Sequence, residues 1–150
     1  MIGPTIPLAG VAVAAWSSLP PYAGPALVLD PTVEVVDHVL PAVVVLAVSV
    51  VALALRRRAT AAPMFAAGLL VVLAGFWMTV THVPLVAQAT RGEVSWAAAT
   101  WHSVPGLAVL ALGAVWAVRL GKEPAPDENT SASHHHQGRD EDDVSATGER

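Results

Sequence analysis

The sequence predicts an all-α protein: an integral membrane helical bundle with four transmembrane helices, or three if the N-terminal apolar segment does not span. Three observations carry this. Of the 150 residues, 54% are apolar and the mean hydropathy is +0.55, too apolar for an ordinary soluble domain. The apolar residues gather in segments at about 2–19, 31–55, 63–83 and 96–118, close to the roughly 20 residues a helix needs to cross a bilayer. The charges are segregated. Residues 1–122 carry four acids and six bases, and residues 123–150 carry eight acids and two bases. The chain therefore divides into a transmembrane domain, 1–122, and an acidic segment, 123–150. The second has almost no apolar residues with which to build a core and is expected to be a disordered cytoplasmic tail.

Residues 2–29 are uncharged. Pro4 and Pro7 sit early in the first segment, where a helix tolerates proline because its first N–H groups have no intrahelical partner. A cleaved signal peptide is the rival reading, but no Lys or Arg precedes the apolar run. Ser17 to Pro21 ends the segment, and Tyr22–Leu29 reads as an apolar connector. Asp30-Pro31 is a helix start, with an N-cap acceptor followed by a residue of suitable φ. Pro41 removes one helical hydrogen bond and frees the Asp37 carbonyl, so a bend is expected near His38.

Arg56-Arg57-Arg58 stops the second span, and Arg119 and Lys122 follow the fourth. By the positive-inside tendency both ends are cytoplasmic. The third span returns outward from Pro63 to Val83. Pro84 is placed to kink it rather than end it, with helix continuing towards Ala89. Thr90 to Glu93 is the outer turn, and Ser95 caps the last span. Trp77 and Trp96 fall near the outer boundary and Trp116 near the inner one, as interfacial anchors do.

The chain has no cysteine, which excludes disulfides, thiolate metal sites and thiol catalysis. Lys122 is the one lysine. Sparse lysine, abundant Ala and Val, and a tail rich in Asp and Glu resemble the composition of small multi-pass membrane proteins of halophilic archaea. The sequence has no phosphate-binding glycine loop, no Ser-His-Asp set, no paired catalytic carboxylates and no nucleic-acid-binding signature. This argues against an independent enzyme and points to an accessory or interaction subunit, with the bilayer and another membrane protein as partners.

The candidate chemistry lies with His38, His82 and His102, all near the outer ends of their spans. An ionisable residue at membrane depth is costly and so points to function. Glu34 lies four residues before His38 and shares its helical face, with Asp37 adjacent. Gly68 and Gly75 have the same seven-residue spacing as Gly106 and Gly113. Small residues in facing stripes let helices approach closely, which would bring His82 towards His102, with His38 on the neighbouring helix. Three uses are open. The rings can hydrogen-bond across helices to Thr79, Thr81, Ser103 or carbonyls freed by Pro41 and Pro105. Alternatively, His38, His82 and His102 can hold a metal ion with Glu34 or Asp37, a donor set that suits zinc or copper. Finally, His82 and His102 can ligate a haem. The consecutive His134, His135 and His136 read as part of a solvated polar tract.

Overall fold

In the computed structural model the described residues are 3–20 and 30–121. The expectations for Tyr22–Leu29, for Lys122 and for the acidic tail with its histidines fall outside them. Four helices are present: α1 (Thr5–Ser17), α2 (Pro31–Leu55), α3 (Ala61–Thr90) and α4 (Trp96–Gly121). The last three are long and apolar enough to cross a membrane. At 13 residues, α1 is about 20 Å long at 1.5 Å per residue, shorter than a hydrocarbon core of about 30 Å. Its apolar length alone does not make it a fourth span.

The boundaries follow from local chemistry. Asp30 caps α2 by accepting the Thr32 N–H at 2.7 Å, with Pro31 in the first helical position. The Thr32 backbone N–H and then its hydroxyl hold the Asp30 carboxyl below the usual carboxylate range. Ser95 Oγ accepts the Ala98 N–H at 3.2 Å and starts α4. Between α3 and α4, Gly92 takes φ +73°, the left-handed conformation that closes a helix C-terminus. The Glu93 N–H reaches back to the Gln88 carbonyl at 3.0 Å.

Both internal prolines expected to bend helices are absorbed, in different ways. Pro41 follows a π-helical turn, Val35–Val39, in which the Leu40 N–H donates to the Val35 carbonyl, five residues back. The wider turn accommodates a proline whose ring crowds the preceding carbonyls. Pro84 does not end α3, which runs on to Thr90. The third helix thus runs past the apolar span that ends at Val83, one residue beyond the Ala89 towards which it was expected to continue.

The core is built on the antiparallel pair α3 and α4. A Cβ added at Gly75 would fall on the Leu110 backbone, at Gly113 on the Val72 backbone, and at Gly106 on Met78 and Thr79. The matched glycine spacing is therefore a close-packed seam, in which backbones touch because no side chain separates them. Val45, Val71, Met78 and Val109 are fully buried along the bundle axis. The expectation for Trp116 is corrected. It does not face the membrane interface but is fully buried, with its ring against Gly68. Trp77 and Trp96, by contrast, are exposed.

Helix α1 packs against α2 and α4, with Gly10 in close contact with Ser49. The outer surface is apolar: Leu40, Leu73, Phe76, Val83, Leu107 and Val118 all point away from the core. That is the surface of a helical bundle solvated by lipid.

Replacing Gly75 with Val should separate α3 from α4 and destabilise the bundle by about 1–3 kcal/mol, the usual cost of overpacking. Thermal unfolding in detergent will show this as a lowered midpoint. An unchanged midpoint would contradict the seam.

Candidate metal centre

Three elements deliver the polar side chains. The π turn of α2 and the residue before it supply His38 and Glu34. His82 comes from α3, eight residues before its outer end, and His102 from α4, seven residues into it. These positions are about 10–12 Å from the outer helix ends at 1.5 Å per residue. The glycine seam sets the register. Gly75 lies across from Leu110 and Thr79 across from Gly106, so the next turn brings His82 opposite His102 and Ser103. All three imidazoles and Glu34 are buried among apolar helices.

The rings converge. His38 Nε2 lies 2.9 Å from His82 Nε2. Glu34 Oε2 is 3.8 Å from His38 Nε2 and Glu34 Oε1 is 3.8 Å from His102 Nε2. One ligand atom from each of Glu34, His38 and His102 lies within 4.8 Å of the others. The carboxylate thus bridges two histidines while the third contacts the first. Asp37, the other carboxylate considered, stands outside this group. It is half-buried, with Trp77 as its hydrogen-bond partner and His82 near enough to feel its charge.

The other ring nitrogens reveal how the site is wired. His82 Nδ1 is 2.6 Å from the Met78 carbonyl, with Thr81 Oγ1 at 3.2 Å, and His102 Nδ1 is 3.0 Å from the Ala98 carbonyl. A carbonyl only accepts, so both Nδ1 atoms carry the proton. With the proton on Nδ1, a neutral ring presents Nε2 as a lone pair, and for His82 that atom faces His38 Nε2. These carbonyls belong to each histidine's own helix, one turn back. They are not the ones freed by Pro41 or Pro105, and neither Thr79 nor Ser103 bonds to a ring. Thr79 donates to the Gly75 carbonyl instead.

This wiring leaves His38 with a problem. Two lone pairs do not face each other at 2.9 Å without a proton or a cation between them. If His38 Nε2 carries that proton in a neutral ring, Nδ1 is a buried acceptor without a hydrogen-bond partner: the Ser17 backbone of α1 lies near the ring but completes no well-formed hydrogen bond with Nδ1. If His38 Nδ1 carries it instead, the His38 and His82 Nε2 lone pairs face each other beside Glu34, and a proton or a cation must lie between them. Glu34 Oε2 is likewise buried without a hydrogen-bond partner. Ser49 Oγ, Ser103 Oγ and Trp116 Nε1 are buried and unpaired as well; what sets Glu34 Oε2 and His38 Nδ1 apart is that they belong to a cluster of possible ligands, where a water or an ion can complete them.

The donor set suits an ion of the zinc or copper class, which takes imidazole nitrogen and carboxylate oxygen together. The backbone acceptors behind His82 and His102 are the outer-shell partners that metal-bound histidines use to fix ring orientation. A haem fits less well. His38 stands between the two rings that would ligate it, its centroid 4.6 Å from that of His82 and 5.5 Å from that of His102. The backbone contacts at Gly75 and Gly106 leave no slot for a macrocycle between α3 and α4.

No family model matches the chain, and neither a curated protein nor a solved structure is significantly similar to it.

The contact between His38 and His82 is testable without any ligand. Replacing either with Leu in a chelated sample should cost about 1–3 kcal/mol, because the remaining ring is left buried and unpaired. The double variant should show a coupling of at least about 0.5 kcal/mol. Strict additivity in detergent unfolding would show that the two rings do not interact.

Proposed function

We propose that this membrane protein binds a transition-metal ion in the outer half of its helical bundle, through Glu34, His38, His82 and His102. One observation carries the reading: one ligand atom each of buried Glu34, His38 and His102 lies within 4.8 Å of the others, with His82 Nε2 2.9 Å from His38 Nε2 and the His82 and His102 rings anchored through Nδ1 to backbone carbonyls. Interhelical hydrogen bonding alone accounts for the contact between His38 and His82, but it leaves His38 Nδ1 and Glu34 Oε2 without partners. When bound, the ion would join α2, α3 and α4 through charge-assisted bonds. The protein acts as a non-catalytic accessory subunit of a larger membrane assembly.

Metal analysis of protein purified in detergent, followed by titration with zinc and copper after chelation, tests this. About one ion per chain is expected, the stoichiometry of a four-ligand site of this type. The single variants His38→Leu, His82→Leu and His102→Leu should each abolish it. Changing His134, His135 and His136 together to Ala should leave it intact. Protein that takes up neither metal, or that loses it only with the latter three histidines, would end the proposal.

The arrangement in the membrane follows from the arginines. The protein sits in the cell membrane with the Arg56–Arg58 turn and the 123–150 segment on the cytoplasmic side and the metal centre on the outer side. The cysteine-free chain makes this simple to check. A membrane-impermeant maleimide should label Thr90→Cys in intact cells and Thr60→Cys only after permeabilisation. The reverse pattern would invert the topology.

A further inference from the structure

The end of the bundle opposite the histidines carries a second polar cluster. Arg56, Arg57 and Arg58 form the turn after α2, and Arg119 lies in the last turn of α4. Ala59 packs against the core cluster that holds Met64, Trp116 and Leu120. Because α3 runs back between them, the end of α2 with its arginine turn and the end of α4 lie at the same end of the bundle. Arg57, Arg58 and Arg119 are exposed and Arg56 is half-buried. None of the four side chains makes a hydrogen bond or an ion pair with another described residue. The outer end is different. Arg91, the one arginine there, is held by Glu93 through two bonds, Nε to Oε1 at 2.6 Å and Nη2 to Oε2 at 3.0 Å. The described acids, Asp30, Glu34, Asp37 and Glu93, all lie towards that end.

We propose that the Arg56–Arg58 turn and Arg119 form a binding face for the phosphates of anionic lipid headgroups. The guanidinium fork matches phosphate oxygens in pairs. Basic residues gathered where a span leaves the hydrocarbon bind anionic headgroups, with gains that accumulate per residue. Position favours lipid over other anions, because all four arginines sit at the ends of membrane-spanning helices, where headgroup phosphates lie. The chain's own acidic segment, 123–150, is the competing occupant. This face is independent of the metal centre, and loss of metal binding would leave it untouched.

Native mass spectrometry of the full chain in a neutral detergent, with phosphatidylglycerol or phosphatidylcholine added, tests the face. Phosphatidylglycerol should be retained preferentially. Arg57→Gln/Arg58→Gln should weaken its binding on the order of 20-fold, about fivefold for each arginine removed. Arg91→Gln should have no effect, and circular dichroism should show unchanged helix content in both variants. Equal retention of the two lipids, or unchanged binding in the double variant, would overturn the proposal. So would displacement of the lipid by inorganic phosphate at equal concentration, which would make this a free-anion site. If the full chain binds no phosphatidylglycerol until Asp140, Glu141, Asp142 and Asp143 are neutralised to their amides, the acidic segment, and not lipid, occupies the face.

Discussion

His38 and His82 meet through their Nε2 atoms 2.9 Å apart, in a space from which water is excluded and around which lipid-facing side chains are arranged. Such a contact sets strict demands on its surroundings. Each ring must be aimed, each remaining polar atom needs a partner, and the helices must lie close enough for short side chains to reach one another. The glycine seam between α3 and α4 meets the last demand by bringing backbones into contact. The one-turn-back carbonyls of Met78 and Ala98 meet the first for two of the rings. The π turn places Glu34 and His38 together on the inward face of α2. His38 Nδ1 and Glu34 Oε2 are the atoms of the cluster for which these arrangements provide no hydrogen bond, which leaves them to a bound water or an ion.

Packing in the rest of the bundle serves the same geometry. Apolar side chains give little drive for helix association when the surroundings are also apolar, so contact between membrane helices depends on close fit and on polar groups. Here the two are separated along the axis. The middle and inner parts of α3 and α4 are held by Gly68, Gly75 and Gly113 against opposing backbone and the Trp116 ring. The outer part is held by histidines. Gly106 lies at the junction, against Met78, the residue whose carbonyl orients His82.

Much of this was legible in the residues. Asp30-Pro31 and Ser95 announce helix starts because their capping chemistry is local, and both caps form. The glycine spacing and the position of each histidine near the outer end of its span point to convergence. Other features depend on rotation about a helix axis, which a sequence of this kind does not specify. Trp116 reads as an interfacial anchor by its place along the span, but it turns into the core because Gly68 leaves room for its ring. Glu34 and Asp37 look equivalent beside His38, and the geometry of α2 selects Glu34 for the cluster. The ring acceptors were sought across helices, at hydroxyls and proline-freed carbonyls. Those used lie four residues back on the same helix, a relation open to any helical histidine and visible from spacing alone. Helix continues through Pro84 to Thr90, as expected of a proline that kinks a span without ending it.

The burial of Trp116 has a consequence for the ion. Below the histidines the bundle axis is filled by Met78, Val71, Val109 and Trp116, each fully buried, and the flanking backbones touch. Among the described residues the polar groups buried below the histidines include Ser49 Oγ and the Trp116 indole nitrogen, too few and too different in kind to line a path for a hydrated cation. An ion bound as proposed would therefore exchange through the side bearing the Gly92 turn, and its occupancy would follow the ion's activity in that compartment.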